Sequence, residues 1–269
     1  MSAANHDKFD PTVANEARVL DYLRGGKDNY KPDRRLGDLL LEAAPELVTM
    51  LREGRKFLSR AVWYLAGQGV RQYVEIGCGL PTRGSLHQIL AKSAPDSKVV
   101  YVDNDPMVVR FAQALVDGPC EVRVVGADAR DAKELLSRPE IGELLDVREP
   151  TAVILQGVIS TILDDDVATR MVRDFADWLS PGGYVVFSHP IQDLCAERTD
   201  KLIDLFHEGE FEEGGRRNGR SLEEIALLLD GLELVPPGLV PTPAWRPLRG
   251  EPTVDITTYW GISAIGRKP

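Results

Sequence analysis

The stretch Tyr73-Val74-Glu75-Ile76-Gly77-Cys78-Gly79 constrains this chain more than any other: an apolar run closes on a carboxylate, then breaks into Gly-x-Gly ahead of a helix start. A buried parallel strand that turns on glycine lets backbone come within contact distance of a ligand, and the next helix offers its N-terminus to an anion. Gly77 and Gly79 therefore read as a cofactor loop.

Which cofactor follows from what is missing. A dinucleotide fold carries Gly-x-Gly-x-x-Gly to receive a pyrophosphate, but the third position here is Thr82, with Pro81 beside it. Glu75 repels a phosphate yet suits a ligand with an ammonium group, such as the methionine end of S-adenosylmethionine. About 20 residues further on, Val99-Val100-Tyr101-Val102 ends in Asp103-Asn104-Asp105, where a carboxylate can accept both ribose hydroxyl protons. A third strand-like run ends in Gly126-Ala127-Asp128, and Asp128 can receive the exocyclic amine of adenine. A lone Gly-x-Gly is as often an ordinary strand-to-helix turn, whereas acidic ends on successive strands point to a nucleoside.

Charge agrees with this. Lys+Arg 32 against Asp+Glu 42 gives a net charge of −10, with no basic stripe, so a nucleic-acid backbone would be repelled. Cys78, Cys120 and Cys195 are widely spaced, without a Cys-x-x-Cys pair or a His at metal-ligand spacing, and read as buried thiols in a reducing cytoplasm. Met1 to Asp10 lacks an apolar signal segment and no run of 18 apolar residues occurs, so a cytoplasmic chain without a membrane anchor is expected.

Strand-like runs at 71–77, 98–103, 121–126, 151–156 and 183–188 alternate with helix-like stretches near 84–94, 106–116, 130–137 and 164–179. Such alternation predicts an α/β, doubly wound, mostly parallel sheet. Asp105-Pro106 signs a helix start and Ser180-Pro181-Gly182-Gly183 a turn into the fifth strand. A charged helix to about Phe206, a polar segment Glu208–Gly219, a capping box Ser221-x-x-Glu224, a proline-rich loop Pro236–Pro252 and a strand Thr257–Ile265 follow.

At this point the residues resemble a family. The chain is similar to class I S-adenosylmethionine-dependent methyltransferases, and more closely to an actinobacterial branch long described only as a domain of unknown function. The blocks that carry the resemblance are Ala17-Arg18-Val19-Leu20-Asp21-Tyr22-Leu23-Arg24-Gly25-Gly26-Lys27-Asp28-Asn29-Tyr30, Ile76-Gly77-Cys78-Gly79-Leu80-Pro81-Thr82-Arg83-Gly84 and Tyr101-Val102-Asp103-Asn104-Asp105-Pro106, with Asp230–Leu234 and Pro237–Pro241 near the end. The resemblance implies a Rossmann-like methyltransferase core over 71–269, with acceptor-side insertions near 190–230 and 236–252, under an N-terminal helical lid over 1–70. It gives the cofactor roles to Glu75, Gly77, Gly79, Asp103 and Asp128, and the adjoining Thr82, Arg83, Asn104, Ala129 and Gln156 complete the candidate site. Relatives usually place a histidine after the fourth strand, facing the methyl group, where this chain has Ser160. A small hydroxyl there suits a specialised pocket or an acceptor that is already nucleophilic; equally, Ser160 caps the following helix.

In the N-terminal block, Gly25-Gly26 breaks an amphipathic helix into a loop able to lie over a cofactor. Tyr22 and Tyr30 are candidates for catalysis or acceptor contact, Lys27 for the methionine carboxylate and Asn29 for fixing either; a plain joint between packing helices is the alternative. His189, at the end of the fifth strand, is a candidate base or a hydrogen-bonded wall residue, and His87 reads as structural. Within Glu208–Glu213 a carboxylate over the acceptor is a further candidate. Ile159 is a candidate acceptor contact, and Trp245 either stacks on a flat acceptor or plugs the lid.

Methyl transfer from a sulfonium needs positioning and exclusion of water more than acid–base help, and Gln156-Gly157-Val158 lacks the carboxylates of a metal-assisted O-methyltransferase. The expectation is a metal-independent enzyme, monomer or homodimer, that methylates a small aromatic or heteroaromatic secondary metabolite such as an indole or phenol. A binding protein that senses S-adenosylmethionine or S-adenosylhomocysteine, and an NAD-dependent oxidoreductase, are the alternatives.

Overall fold

A computed structural model of the chain describes residues 10–81, 84–194, 196–207, 218–252 and 254–269. The parallel strands are β1 (Gln72–Ile76), β2 (Lys98–Asp103), β3 (Glu121–Gly126), β4 (Thr151–Gln156) and β5 (Tyr184–Pro190); β6 (Glu233–Leu234), β7 (Val240–Pro241) and β8 (Gly261–Arg267) complete the sheet. The order is β3-β2-β1-β4-β5-β8-β6, with β7 also on β8, and β8 runs antiparallel to β5. Strand order reverses between β1 and β4. Side-by-side strands that depart in opposite directions leave a crevice at their carboxyl ends, which is where such sheets bind ligands. The register Ile76↔Val102 and Asp103↔Gly126 brings the first acidic strand ends along that rim.

The helices are α1 (Glu16–Leu23), α2 (Lys31–Ala43), α3 (Leu47–Gly67), α4 (Leu86–Ser93), α5 (Pro106–Leu115), α6 (Ala132–Leu136), α7 (Pro139–Gly142), α8 (Asp165–Trp178), α9 (Ala196–His207) and α10 (Leu222–Leu228). Alternate strand residues face opposite sides. Tyr73, Val99, Ile154 and Val186 meet α3 and α4 through Phe57, Leu58, Leu65, Leu86 and Leu90. Val74, Val100, Val153 and Phe187 meet α6, α8 and α10 through Leu135, Met171, Phe175 and Ile225, and Val19, Leu23 and Leu40 of α1 and α2 extend that cluster. α3 therefore covers the sheet itself, although its sequence falls in the stretch read as lid. The start of α1 reaches the end of β2, where Asn15 Nδ2 donates to Asp105 Oδ2 at 2.5 Å, and α2 packs on α1.

Helix starts follow local chemistry. Asp105 Oδ1 accepts from Met107 N at 2.7 Å to cap α5, and Ser221 with Glu224 forms the capping box of α10. The last strand begins later than its apolar pattern predicts, at Gly261, because Asp255 accepts from the amide and hydroxyl of Thr257 and holds that stretch in a turn. No helix among the described residues is long and apolar enough to cross a membrane.

Candidate active site

The glycine loop is built around one carboxylate. Gly77 N and Cys78 N donate to Val102 O at 2.9 and 3.2 Å, which folds the loop back onto β2. Gly79 N donates to Asp103 Oδ2 at 2.9 Å and Asp105 N to Asp103 Oδ1 at 3.0 Å. Each carboxylate oxygen offers about two acceptor sites; Oδ2 also receives the Cys78 thiol at 3.9 Å, so Oδ1 keeps one for a ligand hydroxyl. Gly77 and Gly79 have φ of +64° and +63°, a conformation that a side chain rarely adopts. A Cβ on Gly77 would lie 3.2 Å from Val158, whereas one on Gly79 would meet nothing within 4 Å, so the floor beyond Gly79 is clear. Thr82 and Arg83 lie outside the described residues.

Charged groups gather above this floor. Glu75 is buried, and burial pushes its carboxyl up to about 7 against the opposing pull of Arg55 and Arg24. Arg55, on α3, donates to Gly84 O at 3.2 Å and so reaches the far side of the glycine loop. Arg24, just after α1, is lowered to about 10 by burial, then by Arg55. Glu16, the first residue of α1, is raised to about 7 by burial and by the neighbouring Asp103, itself raised by burial. Glu16 and Arg24 are open to solvent yet hemmed in by protein, as expected of residues lining a concavity. Glu16, Glu75 and Asp103 thus share the crevice with Arg24 and Arg55, acids beside guanidiniums, an arrangement that suits a ligand carrying charge of both signs.

Sequence reasoning missed Glu16, Arg24 and Arg55. The available signal was the placement of an acid and a base at the two ends of α1, but charges on an amphipathic helix ordinarily face water.

The N-terminal block folds differently from its reading as a set of catalytic side chains. Asp21 is buried and accepts from Asp28 N at 2.8 Å and Asn29 Nδ2 at 2.9 Å; Asn29 also donates to Gly26 O. Asn29 thus closes its own loop rather than turning to the cofactor. Tyr22 lies against Gly37 of α2 and donates its hydroxyl to Asp38 at 2.7 Å, a bond that holds the phenol above its ordinary pKa. The Tyr30 side chain is exposed, with the Arg18 guanidinium 5.5 Å from its ring centroid. The Tyr22 hydroxyl is therefore spent on helix packing. Lys27 is exposed and makes no hydrogen bond or ion pair among the described residues, so the guanidiniums, not this ammonium, stand beside Glu75.

Gly26 approaches Asp21 so closely that an added Cβ would lie 1.9 Å from Oδ1 and 2.5 Å from Oδ2. Gly26→Ala is expected to force this loop open and to cost about 1–3 kcal/mol by overpacking. In an Asp21→Ala background the same substitution should cost little; a double-mutant cycle of thermal melts showing additive losses would remove this account.

The acceptor side is also tied up in bonds. Arg220 is buried and donates to Ile159 O at 3.0 Å, Ile162 O at 2.7 Å and Asp165 Oδ1 at 2.9 Å, with His189 Nε2 at 3.3 Å. His189 Nδ1 is 2.5 Å from Pro190 O, so Nδ1 carries the proton and Nε2 accepts from Arg220. That lone pair is not available to a substrate, and His189 is a wall residue. Ser160 sits inside the 3-10 turn Val158–Thr161 and donates to Gly157 O, whereas Asp164 caps α8, so Ser160 is not the cap of that helix. Ile159 is fully buried and holds Arg220 by its carbonyl instead of touching an acceptor. Gln156 Nε2 donates to Gly54 O at 2.6 Å, fastening α3 to the end of β4.

Trp245 is 0 % exposed and packs edge-on against Phe57 and Tyr64, ring centroids 5.3 and 6.1 Å away, while Arg60 binds its carbonyl. No face remains for stacking on an acceptor; it is a plug under α3. Asn104 is exposed at the end of β2 and Ala129 half-buried beyond β3. Asp128 receives Arg130 Nε and Nη2 at 2.9 and 2.6 Å. His87 Nδ1 lies 2.8 Å from the buried Tyr101 hydroxyl and anchors α4 on β2, a structural role. Glu208–Glu213 lies outside the described residues. Among the described residues no three His, Cys, Asp or Glu side chains gather as a metal site.

The chain matches the S-adenosyl methyltransferase family over residues 2–269. It is similar to a DUF574 family protein from Streptomyces avermitilis, 32 % identical, covering 97 % of this chain and 100 % of that one at a TM-score of 0.89. A candidate methyltransferase from Thermobifida fusca is 35 % identical, covers 99 % of each chain and has a TM-score of 0.84. The N-methyltransferase NodS from Bradyrhizobium japonicum, in complex with S-adenosylhomocysteine, is 17 % identical, covers 94 % of this chain and 99 % of that one, and shares the sheet at a TM-score of 0.50. No curated protein matches the chain. With carboxyls and guanidiniums gathered at the switch point of a sheet shared along its whole length with these relatives, the chain belongs to the S-adenosyl methyltransferase family and is an S-adenosylmethionine-dependent methyltransferase.

Proposed function

We propose that the crevice seats S-adenosylmethionine with its ammonium on Glu75, its backbone-facing edge over Gly77 and Gly79, its ribose on Asp103 and its adenine amine toward Asp128, which it shares with Arg130. The observation that carries this reading is the buried Glu75 beside two guanidiniums at one end and Asp103, with an acceptor site left on Oδ1, at the other. A zwitterionic amino acid fits the first end and a diol the second, and the clear floor at Gly79 accommodates the body between them. The bound cofactor supplies a methyl carbon made electrophilic by the sulfonium. The chain's part is to orient the acceptor and exclude water beneath α1 and α2.

The acceptor in this reading is a small aromatic or heteroaromatic metabolite. Its support is indirect and specific. Val158 presents an apolar wall beside Gly77, and the commitment of His189 to Arg220 favours a group nucleophilic without a base, such as the C3 carbon of an indole or a phenolate. The enzyme works in this reading as a metal-independent, cytoplasmic monomer or homodimer.

Glu75→Gln is the direct test. Calorimetry should show the wild-type protein binding S-adenosylhomocysteine and not NAD, and the variant binding the former about tenfold more weakly or worse, because a charge-assisted hydrogen bond is lost. The fold should not suffer. A carboxyl raised to about 7 in the native state costs stability that grows as pH rises through that value, so the variant should melt no lower than wild type at pH 8. Unchanged affinity in the variant would refute the seat. Labelled methyl transfer to a panel of indoles, phenols, proteins and nucleic acids tests the acceptor, and label confined to the polymers would refute that part.

A further inference from the structure

Two charged side chains of the roof have no work in the fold. The side chains of Glu16 and Arg24 make no hydrogen bond or ion pair among the described residues, although protein crowds both. They stand eight positions apart at the ends of α1, which at about 1.5 Å per residue separates them by about 12 Å and, at 3.6 residues per turn, leaves them within about 80° around the axis. One side of the helix thus carries a carboxylate at one end and a guanidinium at the other.

The helix is held so that these ends are in place. At the first, Asn15 Nδ2 donates to Asp105 Oδ2 at 2.5 Å, seating Glu16 over the end of β2 where Asp103 lies. At the second, Asp21 gathers the Gly25–Asn29 loop and leaves Arg24 beside Glu75. The ammonium and carboxylate of an α-amino acid share one carbon, so whatever binds the carboxylate must be a neighbour of whatever binds the ammonium. Arg24 meets that requirement, while Arg55 already donates to Gly84. At the other end, Asp103 has given one acceptor site on each oxygen to the amides of Gly79 and Asp105, and a second carboxylate above it relieves the competition for a ribose diol.

We propose that α1 is a two-point clasp on the cofactor, Arg24 taking the methionine carboxylate and Glu16 accepting a hydrogen bond from a ribose hydroxyl. The clasp rests on the reading that the crevice holds S-adenosylmethionine, and it makes the roof a binding element that measures the length of the ligand. A nucleoside without the amino acid engages one end only.

The test compares S-adenosylhomocysteine with 5′-methylthioadenosine, which keeps adenosine and the thioether but lacks the amino acid, by calorimetry on the full chain. Arg24→Met should raise the dissociation constant for S-adenosylhomocysteine about tenfold or more and leave that for 5′-methylthioadenosine unchanged, the second value also reporting that the variant is folded. Glu16→Ala should weaken both ligands by a similar factor, about fivefold or more. Equal losses of both ligands in Arg24→Met, or no loss, overturn the carboxylate end; unchanged binding in Glu16→Ala overturns the ribose end. If wild type binds neither ligand, the cofactor seat itself fails and the clasp falls with it.

Discussion

Asp103→Ala should raise the dissociation constant for S-adenosylhomocysteine by about a hundredfold or more, since two charge-assisted hydrogen bonds of about 1.5–3 kcal/mol each are lost. The loss should exceed that of Glu75→Gln because Asp103 also shapes the loop. Without it Gly79 N and Asp105 N lose their acceptor, and the turn at Gly77 to Gly79 is no longer tied to β2 from both sides. Stability should change far less than affinity, because burial already holds the Asp103 carboxyl above its ordinary pKa and its removal relieves that penalty. A folded variant with wild-type affinity, by calorimetry, would remove Asp103 from the site.

The largest stability loss is expected from Asp33→Ala. Asp33 is 0 % exposed and accepts from Arg18 Nε at 2.9 Å, Asn15 N at 2.9 Å and Tyr30 N at 2.7 Å, so one carboxylate joins α1, the start of α2 and the chain before them. Its loss leaves the buried Arg18 guanidinium without its counter-charge, a change that costs about 3–5 kcal/mol. At about 2–4 °C per kcal/mol for a chain of this size, the melt should fall by roughly 6–20 °C, and limited proteolysis should cut within residues 10–44. Replacing both partners, Arg18→Met with Asp33→Leu, should recover most of the loss, because an apolar pair leaves no buried charge. A single variant that melts with wild type would show the pair to be energetically idle.

The sheet and its acidic strand ends were legible because their signals are local. An apolar run, an acid and a glycine turn act within a few residues of one another, and β1, β2 and β3 place Glu75, Asp103 and Asp128 without help from elsewhere. The roof was not. Whether Tyr22 faces a ligand or Asp38 depends on how α1 packs on α2, and Asp21 and Asp33 look in sequence like any solvated helix charge. Trp245 shows the same limit across the chain: the arginine that fixes its carbonyl is Arg60, 185 residues earlier. His189 was placed correctly on its strand, but its chemistry is decided by Arg220, which arrives from beyond α9.

Asp105 does two jobs at once: its Oδ1 caps α5 and its Oδ2 receives Asn15 from the roof, while its own amide donates to Asp103. The grip on the ligand and the hold on the roof therefore share a single residue, and they cannot be tuned separately. A stronger latch would lengthen the stay of spent cofactor, and a weaker one would shorten it while letting water in. In the proposed seat, the stay of spent cofactor is set partly at a helix cap, and a change at Asn15 is expected to alter it.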